Sequence, residues 1–420
     1  MKTILIRSAV YLLAATAVAR LQAQTGTATV SELMKDPLVR ASLDAAKAGE
    51  SRTIEDQIRF CEVAAPPFKE TARGELLRQT FLQLGLRNVR VDKAGNVLGD
   101  RPGAAVRPRL VMSAHLDTVF PDEVDVRVTR DGAVLRGPGI GDDCRGLAVM
   151  VSTIRALRQA NLQTPGSMTF VATVGEEGLG DLRGAKQLFK ETLPGEIDRF
   201  VSIDGGGLGI TNVGVGSLRY RVVFKGPGGH SFAAFGLANP IDAMGRAIAK
   251  IADFQVANQP KTTFNVGRVG GGTSVNSIPA EAWMEVDMRS SAQTALTALE
   301  ARFQKAIEAA AAEENDRWRT PRMITVVKER VGDRPAGSTP ADSVVVRRVE
   351  AVHRALGLPV AFNESSTDSN IPMSLNIPAI TIGGGGRGVG AHAATESFDT
   401  TDSWRGTERA LLLAIALAQK

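Results

Sequence analysis

Three short apolar runs, each closing on residues able to hold a cation, limit what this chain can become more than any other feature. Residues 109–114 lead into His115 and Asp117. Residues 168–174 lead into Gly175-Glu176-Glu177-Gly178. Residues 199–203 lead into Asp204. Apolar runs of this length, bounded by glycine and polar residues, read as strands buried on both faces, as in a parallel sheet. A helical pattern falls between the first two: in 147–160, Val149, Met150, Val151, Ile154 and Leu157 recur at helix spacing. Strand alternating with helix predicts an α/β domain, in which ligands bind outside the carboxyl ends of the strands.

The residues at those ends carry specific chemistry. Adjacent carboxylates at the end of a buried strand are costly unless a positive charge holds them. Successive side chains leave the backbone in different directions, so one glutamate can ligate a cation while the other stays free as a base. Alone, the pair also reads as a solvated turn. His115 and Asp117, two apart in extended chain, share one face. The histidine can ligate while the aspartate tunes its neighbours; a satisfied structural histidine fits the pattern equally. Gly137-Pro138-Gly139-Ile140-Gly141-Asp142-Asp143 precedes the helix, where negative charge is favoured and Asp142 or Asp143 can also cap. Two acids fit a phosphate loop poorly.

The chain has four histidines. His392 ends the glycine-rich stretch 383–391, with Glu396 four residues on, whereas His353 reads as a surface or packing residue among Arg347, Arg348 and Arg354. His115 and His392 with Asp142, Glu177 and Asp204 form a two-histidine, three-carboxylate set. Such a set suits two divalent ions sharing one carboxylate. Mixed nitrogen and oxygen ligands favour Zn²⁺, Co²⁺ or Mn²⁺ over Ca²⁺.

From about residue 214 the texture changes. Segments 218–225, 262–269, 282–289 and 322–330 read as strands, and 241–254 and 292–315 as helices. The order βαββαβ predicts an inserted α+β, ferredoxin-like domain over 214–332. The flanking segments 24–213 and 333–420 then form one α/β domain with a mixed, mostly parallel sheet. At the N-terminus, Lys2 and Arg7 precede an apolar core at 9–19, and 1–23 reads as a signal peptide with cleavage after Ala23. The run is well short of the ~20 residues a membrane span needs. A secreted or periplasmic protein without stable membrane insertion is the expectation. A net charge of +5 over 420 residues, with no Lys/Arg block, does not point to nucleic acid. Two cysteines, Cys61 and Cys144, are too few for a disulfide framework, and Cys144 is expected free.

Taken together, His-Leu-Asp at 115–117, Gly-Pro-Gly-Ile-Gly-Asp-Asp at 137–143, Gly-Glu-Glu-Gly at 175–178, Asp204, Gly-Gly-His-Ser at 228–231 and Ala-His at 391–392 resemble the di-zinc exopeptidases. That family includes carboxypeptidase G, peptidase T, acetylornithine deacetylase and the aminoacylases. The resemblance implies two Zn²⁺ per subunit, with Co²⁺ or Mn²⁺ as substitutes. Asp142 would bridge them, His115 and Asp204 would complete one site, and Glu177 and His392 the other. Glu176 would be the general base for a metal-activated water, and Asp117 would orient the first site. The inserted domain would be a lid that makes a homodimer. Its His230 would reach the partner's site to stabilise the oxyanion, and its Asn276 and Arg289 would contact substrate. The Asp142–Asp143 bond would be cis. The implied activity is exopeptidase cleavage of short peptides at a free terminus. The alternatives are an N-acyl-amino-acid deacylase or carboxypeptidase, and, more distantly, a non-catalytic metal-binding protein. The sequence departs from the family at Cys144-Arg145, where lysine is usual nearby, and at Ala393, where serine is common.

Overall fold

The computed structural model describes residues 28–420, so the expected signal peptide at 1–23 lies outside the described residues. After a single helical turn at Val30–Leu33, the larger domain continues with helices α1 (Pro37–Ala48), α2 (Glu50–Cys61) and α3 (Thr71–Gln83). Strands β1 (Arg87–Val91), β2 (Val97–Arg101), β3 (Arg109–His115) and the short β4 (Val134–Arg136) follow, then helix α4 (Cys144–Gln159) and strands β5 (Ser167–Thr173), β6 (Arg199–Ile203) and β7 (Ile210–Gly214). The smaller domain is β8 (Gly216–Lys225), α5 (Pro240–Ala252), β9 (Thr262–Gly271), β10 (Glu281–Ser290), α6 (Gln293–Trp318) and β11 (Thr325–Arg334). The chain returns through α7 (Val344–Ala355), β12 (Ala379–Ile382), β13 (Ser397–Asp399) and α8 (Trp404–Leu417).

The main sheet runs β1-β2-β5-β3-β6-β12-β7. Its centre is parallel: β3 pairs with β5 and β6, and β6 with β12. Its flanks are antiparallel, through β1–β2, β2–β5 and β12–β7. His115 sits opposite Thr173, and Ser113 opposite Ser202. That register brings the carboxyl ends of β3, β5 and β6 to one edge. Helices α4 and α8 cover one face, where Met150, Ile154, Leu412 and Ile415 join a single core cluster. Burying each such side chain is worth about 1.5–3 kcal/mol.

The smaller domain is the expected antiparallel βαββαβ unit, ordered β9-β10-β8-β11. Alternation puts Tyr220, Val222 and Phe224 of β8, and Met284 and Val286 of β10, on the face covered by Phe303 and Ile307 of α6 and Ala247 of α5. Strand β11 runs to Arg334, two residues beyond the expected limit of the insertion.

Several local expectations shift for physical reasons. Helix α4 starts at Cys144 rather than near 147, because the Asp143 carboxylate accepts from the Gly146 amide at 3.0 Å and caps the first turn. Of the two readings of His353, packing holds, since the residue is fully buried. Helix α7 lies against α8, so its Nδ1 donates to the Pro359 carbonyl at 2.6 Å while Nε2 lies 3.4 Å from Arg409 Nη1. Cys144 is free as expected, as is Cys61, and both are buried.

Candidate metal centre

Strand ends supply His115, Glu176, Glu177 and Asp204, and loops supply Asp142 and His392. His115 closes β3; its amide donates to Asp143 Oδ2 at 3.0 Å, and its Nδ1 lies 2.9 Å from the Asp117 carbonyl. That contact assigns the proton to Nδ1 and leaves Nε2 as the lone-pair nitrogen. Nε2 faces Asp142 Oδ1 at 2.9 Å and Asp204 Oδ1 at 4.0 Å. The other oxygen of Asp142 lies 3.3 Å from His392 Nε2, which in turn lies 2.9 Å from Glu177 Oε1. Asp142 therefore stands between two histidines, one on each carboxylate oxygen, with Asp204 beyond one and Glu177 beyond the other. Ligand atoms of His115, Asp142 and Glu177 lie within 4.8 Å of one another. The Asp142–Asp143 peptide is cis.

Asp117 is fully buried. It accepts the amides of Glu176 at 3.0 Å and Glu177 at 2.8 Å, fixing the loop that presents both glutamates. Glu176 is buried beside the ligand set, where Arg334 Nη1 approaches its Oε1 at 3.4 Å and Arg334 Nη2 donates to its carbonyl at 2.5 Å. Burial pushes the Glu176 carboxyl well above the usual range, Arg334 opposes the shift and Glu177 adds to it. Burial and the charge of Asp142 raise Asp204 to about 7. Burial also works against ionised Asp142, but hydrogen bonds to His115 and His392 outweigh it and hold its carboxyl below the ordinary value. The same contacts to Asp142 and Glu177 raise His392 to about 10. So many carboxylates at the rim of a buried sheet demand positive charge, and the mixed imidazole and carboxylate donors fit divalent cations.

A cavity of about 400 Å³ opens over these groups and is walled by Arg219, Arg289 and Arg334. Arg219 and Arg289 both engage Asp287 through Nε, at 3.1 and 2.7 Å, and Arg219 Nη1 donates to the Gly178 carbonyl at 2.8 Å. A larger cavity, about 590 Å³, lies against α2, α3 and α4 and includes none of the expected ligands.

The structure thus gathers His115, Asp142, Glu177, Asp204, His392, Glu176 and Asp117, and brings Arg289 to the cavity wall. It does not bring His230 or Asn276 there. Both are exposed in the smaller domain, beside a short antiparallel pairing of Gly229–His230 with Ser277–Ile278, where the Ser231 amide donates to the Asn276 carbonyl at 3.0 Å. His230 Nδ1 accepts from the amides of Phe232 and Ala233 at 3.2 and 3.3 Å, so its proton sits on the outward Nε2. Sequence reasoning missed Arg219 and Arg334 altogether. The only signal for Arg334 was its place just beyond the insertion.

A model of peptidase family M20/M25/M40 matches residues 111–416. The chain is 26% identical over 284 residues to the uncharacterised protein YqjE of Bacillus subtilis, covering 63% of this chain and 73% of that one. It is 26% identical over 231 residues to carboxypeptidase G2 of a Pseudomonas species, covering 52% of this chain and 54% of the relative. The aminopeptidase PepT of Bacillus cereus superposes with a TM-score of 0.72 at 22% identity, covering 88% of this chain and 99% of that chain. At that identity the superposition establishes the shared fold alone.

Proposed function

Because the chain belongs to peptidase family M20/M25/M40, we propose that it is a di-zinc hydrolase of amide bonds next to a free carboxylate, in short peptides or N-acyl amino acids. The observation that carries this reading is the cavity in which Glu176 and the ligand set face Arg219, Arg289 and Arg334. Guanidinium groups recognise carboxylates through paired, charge-assisted hydrogen bonds. Arg289 engages Asp287 through Nε, which leaves its terminal nitrogens for a substrate carboxylate.

His115 and Asp204 would hold one cation, Glu177 and His392 the other, and Asp142 both. Bound cations supply Lewis acidity and bring the pKa of a water towards about 7. The chain's own residues do the rest. Glu176 takes the proton of the attacking water as the C–O bond forms, and delivers it to the amine nitrogen as the C–N bond breaks. Arg334 orients that residue through its Oε1 and its main-chain carbonyl. Asp117 fixes Glu176 and Glu177 through their amides. His230 of a second copy donates from Nε2 to the developing oxyanion. The exposed edge strand β9 and the exposed Phe232 and Val275 near His230 support a homodimer made through the smaller domain. The basic and apolar N-terminal residues support export to the periplasm or beyond. Among the described residues no helix is long and apolar enough to cross a membrane.

The test is a cleavage panel read by mass spectrometry. Zinc-loaded protein meets free tripeptides, N-blocked peptides, C-amidated peptides and N-acyl amino acids. Cleavage of N-blocked but not C-amidated substrates is expected. A strict need for a free amine would overturn the carboxylate reading and make the enzyme an aminopeptidase.

A further inference from the structure

Glu396 lies just before β13 and is almost fully buried, at 1% exposure. Its Oε2 accepts from the Gly139 amide at 2.8 Å; its Oε1 accepts from the amides of Gly141 at 2.8 Å and Asp142 at 3.1 Å. Its main-chain carbonyl accepts from Gly137 at 3.1 Å. One residue thus closes four hydrogen bonds onto the loop that ends in Asp142. The approach leaves little room, since a Cβ at Gly141 would lie 3.0 Å from Glu396 Oε1. Towards its own side, the Glu396 amide donates to the Ala393 carbonyl at 2.9 Å, and the Ala393 amide donates to the Gly390 carbonyl at 2.9 Å, closing the adjoining turn in which His392 has a φ of +66°. A non-glycine residue stays in that conformation only where its surroundings fix it.

We propose that Glu396 is a positioning residue whose carboxylate clasps the Asp142 loop to the His392 turn and so sets the spacing of the two ligands. The inference rests on reading Asp142 and His392 as cation ligands. An ionised carboxylate is suited to this role because its two oxygens only accept, and three N–H groups converge on them. Glutamine keeps the shape but turns an NH₂ group towards at least one amide donor.

The experiment titrates Co²⁺ into the chelator-stripped full chain, wild type and Glu396→Gln, following visible absorption and heat. The expected result is a folded variant that binds at least one Co²⁺ about 10–100-fold more weakly, the usual cost of losing a partner behind a metal ligand, with an altered absorption band. The fall in turnover should lie in kcat rather than KM. Equal affinity and an identical band in the two proteins would overturn the clasp while leaving the ligand reading intact. Failure of the wild type to bind Co²⁺ would remove the ligand reading and the clasp with it. Should Glu396→Gln not fold, hydrogen exchange of the metal-free wild type decides: amides in 139–142 should be strongly protected, and rapid exchange there would overturn the proposal.

Discussion

Glu176 is caught between burial, which favours its neutral form, and Arg334, which favours its charge. It touches none of the ligand-to-ligand contacts that join His115, Asp142, His392 and Glu177. Glu176→Gln should therefore lower kcat by about 10²–10⁴-fold, the range for loss of a positioned base, while Co²⁺ affinity stays at the wild-type value. Turnover that survives the substitution would remove Glu176 from the role. Arg289→Met should raise KM about 10-fold or more for free-carboxylate substrates with kcat little changed, as expected when binding common to ground and transition state is removed. An unchanged KM would move the carboxylate contact to Arg219 or Arg334. The candidate ligands were legible because histidines are few and strand ends are where such side chains collect. Arg334 and Glu396 were not. Their partners lie 158 and 254 residues away in sequence, and only tertiary packing brings them together.

Helix α4 shows how an element sets the site. Asp143 caps its first turn and the adjacent Asp142 faces His115, so the two acids of the pair take different places, the cap falling to Asp143 and the candidate ligand position to Asp142. A Cβ on Gly146 would lie 2.2 Å from Asp143 Oδ1 and 2.5 Å from the Ile203 carbonyl. Gly146→Ala should cost about 1–3 kcal/mol of stability through overpacking, seen as a lowered Tm; an unchanged Tm would mean the cap yields freely. Helices α7 and α8 meet at His353. Burial and the Arg409 charge lower its pKa, against the Pro359 carbonyl, which favours the charged ring. The unfolded chain, with a pKa near about 6.5, then binds a proton that the folded chain refuses. This contribution to stability is complete above that value and is lost as pH falls below it. Thermal unfolding of wild type and His353→Asn from pH 7.5 to 5 should show a steeper decline for wild type, and parallel curves would contradict it. The alternating strands of the smaller domain were legible because one face is buried and the other wet. The β1–β2 hairpin was not, because β1 lies at the sheet edge and Arg87, Asn88 and Arg90 hide any alternation.

At the scale of the whole molecule, the smaller domain holds the loop that follows the two glutamates. Arg219 binds the Gly178 carbonyl at 2.8 Å, and Asp181 accepts from the Asp333 amide at 3.0 Å. Asp181 and Leu182 both adopt positive φ, at 56° and 57°, a conformation such residues keep only under outside constraint. Two hydrogen bonds thus tie the smaller domain to the loop that follows the glutamates. His230 is exposed and does not line this cavity, and the proposed role for it in the site of a second copy can be tested directly. Mixing inactive His230→Ala with inactive Glu176→Gln subunits should restore one working site per mixed dimer; no recovery would leave His230 without a role across subunits.

The most direct measurement follows bound metal and hydrolysis together while Zn²⁺ is returned to chelator-stripped protein, for wild type and Glu176→Gln. Two equivalents should bind to both proteins, with hydrolysis rising alongside occupancy in the wild type alone. Undiminished hydrolysis by the stripped wild type, or by Glu176→Gln, would contradict a metal-dependent reaction that uses Glu176 as its base.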